Sequence, residues 1–445
     1  MAEISAFSGI RYGDGLDLNE LVAPPYDVIS PQLQDELYGR DEKNIVRVDF
    51  GRAEIWDDAG NNRYTRSAQY IRQWLEEGTL VREDSPALYY YEVDYQTPSG
   101  EAKRMSGFIC LLKLEEWDKE IVLPHEATLK GPKADRFELM KVTGVSTSQI
   151  FSLYSENDKK TTASLRESVH GKPADAEATD DDSAHHSIWA VKDPGVIDSV
   201  GKAMADKKIF IADGHHRYET ALAFRNYCRE QGPWDGTEGF NYVPMFLANM
   251  EEDGLTVLPT HRLVKNLPCL SLEAILERAS KYFFIEKLPF TMDYEPAQRK
   301  LFLESLVKLG KTAHCFGFTF AGEQAYYLLK LKELDPVMEA LRCKYSEVYC
   351  NLDVTILHEL VIMRVLGIDT EMIAESQPVK FEKEGDLAIK RVANGEFDIC
   401  FLLNATKVRE VKEVALAREV MPQKSTYFYP KLLTGLVMAE LLPKV

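Results

Sequence analysis

The chain has 445 residues, 45% of them apolar and 28% charged, with a formal net charge of −18 at pH 7. That length exceeds one ordinary hydrophobic core, so two domains are expected. An acidic balance of this size excludes a protein built to coat nucleic acid, which needs clustered Lys and Arg, yet leaves room for a local basic pocket.

The opening "MAEISAFSGIRYGDG" has no basic region ahead of an apolar run, so no signal peptide is expected. In "VAPPYDVIS" (22–30) two prolines fix an extended backbone from which Tyr26 and Asp27 project. Ser30 and Pro31 then read as the cap and first residue of a helix through "SPQLQDELYG". In "LPHEATLKGPKADR" (123–136), Gly131-Pro132 marks a turn ringed by Lys130, Lys133 and Arg136, with His125 and Glu126 ahead of it. Three readings stay open there: a phosphate seat, a base pair of His125 with Glu126, or an exposed helix-capping loop. "AEATDDDSAHHS" (176–187) is the most loop-like stretch and is expected to decorate the surface.

"SIWAVKD" (187–193) reads as a strand, "GVIDSVGKAMAD" as a helix and "KKIFIAD" (207–213) as a buried strand. A helix follows from about His215 to Arg229, with Tyr218, Ala221, Leu222, Phe224 and Cys228 at helical spacing, and "QGPWDG" stops it. "YVPMFLANM" (242–250) is the next strand, and "THR" (260–262) follows as a loop. Further on come a strand "KYFFIEKL", a helix closing on Gly310 and a hairpin across Gly322. A helix at 352–367 is apolar on nearly every side, and "GEFDICFLLNATKVREVKEVA" is a strand feeding a helix. Strands and helices intermix, so the class is α/β, or mixed α+β. The break is expected near 265–275, giving domains 1–268 and 269–445.

The densest chemistry lies in "IADGHHRYETALAFR" (211–225). A buried strand turning through Gly into a helix leaves backbone N–H groups at the helix start, a natural seat for an anion. Gly214 permits the tight turn, and Arg217 would clamp phosphate or carboxylate. His215 and His216 can donate hydrogen bonds or move protons near neutral pH. Asp213 has three available roles: helix cap, magnesium ligand or base. Plain capping with solvated side chains is the structural alternative.

Other patterns exclude chemistry. Lys424, Ser425 and Thr426 stand in a row but lack the glycines of a phosphate-binding P-loop. "HEATL" and "HELVI" lack the second His of a zincin, and His358 reads as a core histidine. No GxSxG elbow occurs, and seven scattered Cys without a CxxC fit reduced cytoplasmic thiols. No zinc, haem or flavin is expected. Lys431 reads as a surface cation. No apolar stretch is long enough to span a bilayer, so no membrane partner is expected.

"VAPPYDVIS", "LPHEATLKGPKADR", "ADGHHRYETAL", "PTHRLV" and "MPQKSTYFYPKLLTGLV" together resemble, in order, the widespread bacterial family called domain of unknown function 1015. A more distant resemblance is to the ParB/sulfiredoxin superfamily, in which a strand runs into a Gly-containing turn ending in Arg and the turn holds nucleotide phosphates. That likeness implies a ParB/sulfiredoxin-like core in the N-terminal part, with Gly214, His216 and Arg217 matching the phosphate turn. It also implies a smaller C-terminal α/β domain closing over the site. Tyr26 and Asp27 would form the early substrate loop, and His261 and Arg262 would face the same pocket. Lys133 and Arg136 would be a second phosphate clamp, and Lys424 could reach the pocket from the C-terminal domain. The chain lacks the sulfiredoxin cysteine and the basic helix-turn-helix half of a partition protein, which counts against both of those activities. The expected function is a cytoplasmic phosphotransferase using ADP or ATP with magnesium, held in part by Asp213, on a small metabolite; among free amino acids serine comes first. The alternatives are a non-catalytic sensor of a nucleotide or phosphorylated metabolite, and a phosphate-ester or nucleotide hydrolase. The oligomeric state is not legible.

Overall fold

The structure is a computed structural model that describes the chain except residues 127, 129, 267–270, 342–343, 370–377, 423 and 443–445, and the side chains of 130–132. It is mixed α/β and forms two compact units. The first comprises Met1–Pro124, Thr128–Thr256 and Phe428–Val445; the second comprises His125–Ala127 and Val257–Tyr427. The first unit thus ends before the expected 265–275 break, and the chain returns to it at Phe428.

The first unit is built on a nine-stranded sheet. Its strands are β1 (Ile4–Ser5), β2 (Leu88–Gln96), β3 (Ala102–Lys113), β4 (Val122–Leu123), β5 (Ile150–Tyr154), β6 (Ala176–Thr179), β7 (His185–Val191), β8 (Ile209–Asp213) and β9 (Tyr242–Asn249). They lie in the order β4-β8-β5-β9-β3-β2-β7-β6, with β1 added against β3. β8 runs parallel to β4 and antiparallel to β5, and β9 runs parallel to β5. Central strands are buried on both faces, so "LYYY" and "VPMFLA" read as continuous apolar runs and not as alternations. Gly107 is required by packing: a Cβ there would sit 2.5 Å from the Leu247 carbonyl oxygen.

Three local expectations change. The acidic stretch 176–187 is not a surface loop: β6 and β7 pair antiparallel, and Asp180 ties the connecting turn by accepting the Ala184 N–H at 2.8 Å. The run of Asp residues hides the strand because it supplies the turn. Gly131-Pro132 is no separate turn, since helix α1 (Lys130–Thr143) already includes it; Pro is tolerated in a first turn, where its missing N–H has no helical partner anyway. The apolar segment at 352–367 splits into a short α-turn, Asp353–Ile356, and a π-helical stretch, Leu357–Val365.

The second unit holds a six-stranded antiparallel sheet made of His261–Val264, Phe283–Pro289, Cys315–Phe320, Ala325–Leu331, Val379–Glu382 and Ile399–Leu402. Phe302 of the helix Glu295–Leu309 stacks on Tyr326 with centroids 4.8 Å apart. Ala388, Ile389 and Val392 of the helix Gly385–Ala393 join the same core. Among the described residues, no helix is long and apolar enough to cross a membrane.

Candidate functional site

β8 is buried along its first four residues and carries a register shift against β5 between Ile211 and Asp213. Such a bulge re-aims the following side chain, and Asp213 ends the strand partly exposed. Gly214 then takes φ = 94°, a left-handed conformation that side chains rarely adopt, and starts the sixteen-residue helix α2 (His215–Glu230). Its N-cap is Gly214, and among the described residues no side chain caps it.

Asp213 is therefore not the cap. One carboxylate oxygen, Oδ2, accepts from Arg217 Nη2 at 3.1 Å. The other, Oδ1, lies 3.2 Å from Lys431 Nζ. Burial alone would raise the Asp213 pKa, but Lys431 and Arg217, with a smaller contribution from His215, hold it well below the usual carboxylate range. Lys431 is the residue beside Asp213 that sequence reasoning missed. It is no surface cation, because its side chain is only 14% exposed and faces Asp213. No local signal marks it; only the return of the chain to the first unit brings it there.

Arg217 is also more constrained than a free clamp. Its Nη1 donates to the Gln149 carbonyl and lies 3.4 Å from Ser148 Oγ. Its guanidinium occupies the space beside Gly214, so a Cβ at 214 would lie 2.8–2.9 Å from Nε, Cζ and Nη2. Gly214 is thus demanded twice, by φ and by Arg217. His215 is buried and His216 is half-buried.

Around this turn the first unit gathers further charge. Tyr26, on the short helix Tyr26–Val28, lies under the Arg136 guanidinium at 4.2 Å. Burial pushes the Tyr26 phenol up to about 12, against the pull of Arg217 and Arg136. Asp27 beside it is exposed and makes no hydrogen bond or ion pair among the described residues.

Arg136 corrects an expectation. It is 6% exposed and committed to Asp49 at 3.0 Å and Asp135 at 2.6 Å, so it is a structural cation and not a phosphate clamp. Asp49 also accepts from Thr147, while its Oδ2, like Gln149 Oε1, is a buried acceptor without a partner among the described residues. A cavity of about 20 Å³ lined in part by Arg136, Thr147, Ser148, Arg217 and Thr220 has room for one water. Lys133 on α1 is a third exposed and bonds Glu219 of α2 at 2.6 Å. The Lys130 side chain lies outside the described part.

The remaining expected site residues belong to the second unit. His125 is buried with Nε2 2.9 Å from Thr426 Oγ1, and Glu126 accepts the Lys424 N–H at 3.1 Å. Lys424 itself is exposed, with φ = 56°. His261 and Arg262 are not on a loop: both are buried in the strand His261–Val264. Arg262 donates to the Thr260 and Lys424 carbonyls and stacks on Phe381 at 4.6 Å. Burial lowers it to about 10, with Glu126 opposing, and lowers His261 to about 3, with Arg262 adding to the effect. His358, half-buried, is lowered by burial and by Arg262.

A magnesium site does not fit Asp213, because both of its oxygens already face cations. Among the described residues no cluster of three His, Cys, Asp or Glu side chains could hold a metal.

Solved structures with weak overall similarity include a free serine kinase in complex with AMP, at 14% identity, 72% of this chain, 88% of that chain and a TM-score of 0.35. A conserved hypothetical protein from Pyrococcus furiosus matches at 13% identity, 72% of this chain, 92% of that chain and a TM-score of 0.33. SbnI from Staphylococcus aureus with a C-terminal truncation matches at 10% identity, 73% of this chain, 85% of that chain and a TM-score of 0.35. The sequence has no match among curated proteins. Residues 4–355, which include the Gly214 turn, match the family described as "Protein of unknown function (DUF1015)", and the chain belongs to that family.

Proposed function

We propose that the Gly214 turn binds the phosphates of a nucleotide such as ADP or ATP, and that the protein is a phosphotransferase acting on the hydroxyl of a small metabolite. A free amino acid such as serine is the first acceptor to try. One observation carries this reading: two cations, Arg217 and Lys431, share the single carboxylate Asp213 at the start of a sixteen-residue helix. The helix dipole adds to their surplus positive charge, and the result is an anion seat in a chain of net charge −18.

In this mechanism the backbone at Gly214 approaches the phosphates closely, while Arg217 and Lys431 meet the charge that develops on the transferring group. Asp213 holds the two cations in place. Its depressed pKa makes it a poor proton acceptor, and burial removes His215 from the acceptor. The proposed base is Asp27, the exposed carboxylate next to Tyr26. His216 is a hydrogen-bond donor to the phosphates, and Lys133 is a further cation that solvent reaches.

The test is phosphoryl transfer from ATP to a panel of small hydroxyl acceptors. Asp27→Asn should lower the rate about 100-fold or more while leaving ADP binding intact, the size expected for a lost general base. Arg217→Ala should lower both. The burial of His215 and the full engagement of Asp213 favour one second reading, a non-catalytic sensor. Tight nucleotide binding with no acceptor phosphorylated would select it.

A further inference from the structure

The acidic stretch at 176–187 contains a buried histidine that the phosphate seat does not use directly. His186 of β7 is 0% exposed; its Nδ1 lies 2.7 Å from the Tyr91 hydroxyl and its Nε2 3.2 Å from Asp180 Oδ2. A carboxylate only accepts, so Asp180 places the imidazole proton on Nε2 and leaves Nδ1 to accept from Tyr91. The Tyr91 oxygen in turn faces the Leu433 N–H at 3.5 Å. The Leu433 carbonyl accepts from Gln149 Nε2 at 3.2 Å, and the Gln149 carbonyl accepts from Arg217.

The same chain segment bears on the seat from two other sides. Two residues before Leu433, Lys431 meets Asp213. One residue after it, Thr434 exchanges both backbone hydrogen bonds with Ala23, just ahead of the Tyr26 loop. A continuous line of polar contacts thus runs from the buried Asp180–His186–Tyr91 group, through residues 431–434, to the Arg217 guanidinium. Polar groups in a sheet core are unfavourable unless satisfied, and satisfied ones are directional. An apolar pair would fill the space at 91 and 186 without fixing where Leu433 sits.

We propose that Tyr91 and His186 are positioning residues: they hold segment 431–434 so that Lys431 and Arg217 converge on Asp213. The proposal rests on the phosphate reading of that site. Its test compares Tyr91→Phe with Tyr154→Phe, which removes a buried hydroxyl of the same sheet whose one hydrogen-bond partner among the described residues is Thr162. Two readouts are taken: ADP affinity by calorimetry, and the Arg217 side-chain N–H signal by NMR without ligand.

Tyr91→Phe should weaken ADP binding about tenfold, the size of one lost buried hydrogen bond, and move the Arg217 signal. Tyr154→Phe should do neither, although it loses comparable thermal stability. If Tyr91→Phe binds ADP like the parent with an unmoved Arg217 signal, the proposal is overturned. If the parent itself binds neither ADP nor pyrophosphate, the phosphate reading fails separately. The Arg217 signal then decides: a shift in Tyr91→Phe alone supports positioning, and no shift overturns it. Should Tyr91→Phe fail to fold, His186→Gln takes its place with the same expected outcomes.

Discussion

A carboxylate held between two cations loses its proton at lower pH than burial alone would permit, and Asp213 is in that position. Its folded-state pKa is depressed below the unfolded value of about 3.9. Its contribution to stability is therefore complete above that pH and is lost as pH falls through the folded value, on the order of 1–3 kcal/mol. Urea unfolding between pH 5 and pH 2.5 should show Asp213→Asn losing less stability on acidification than the parent; parallel curves would contradict the pairing. Gly214→Ala should destabilise by about 1–3 kcal/mol, since it combines a left-handed φ with displacement of Arg217. Denaturant midpoints measure this, and a neutral result would show that the turn relaxes freely. At this scale the contiguous residues were legible: a strand ending in Asp-Gly-His-His-Arg told where to look. Lys431 was not, because a lone Lys after Tyr-Pro has no periodicity and acquires its role only by long-range folding. Arg136 was misread for a related reason, since nothing local reveals the Asp49 carboxylate that buries it.

Elements were legible where burial followed a simple period. β8, α2 and β9 lie within a residue or two of their expected limits because apolar runs end at Gly, Pro or charge. β7 was expected but β6 was missed because the turn joining them is acidic, and the strand at 261–264 was missed because "THR" after Pro looks like a loop. An element-scale pairing in the second unit is also testable. His314 Nδ1 lies 2.7 Å from Asp353 Oδ1, joining the residue before the strand Cys315–Phe320 to the first turn at Asp353. The hydrogen bond to Asp353 raises the His314 pKa against the opposing effect of burial. The added stability is thus fully present below the unfolded pKa near 6.5 and fades as pH rises through the folded value. Thermal melts of the parent should fall between pH 6 and pH 8.5 by more than those of His314→Gln. Equal pH slopes would remove the pair from the stability balance.

For the whole molecule, the defining feature is that the chain leaves its first unit at Thr256 and comes back at Phe428. The returning segment bonds Ile10 and Ala23 through its backbone and supplies Lys431. No compositional shift in the sequence marks a return of this kind. Among the described residues, Arg217, Lys431 and His215, which meet Asp213, all belong to the first unit, so the proposed phosphate seat would be a property of that unit. The most direct measurement is calorimetric titration with ADP, with and without magnesium, of the parent, Arg217→Ala and Lys431→Met. Micromolar binding by the parent, weakened about tenfold or more in each variant, is the predicted result, in line with the loss of a charge-assisted contact. No binding by the parent in either condition, or equal binding by all three proteins, would contradict the phosphate seat and leave Asp213, Arg217 and Lys431 as a structural ion cluster.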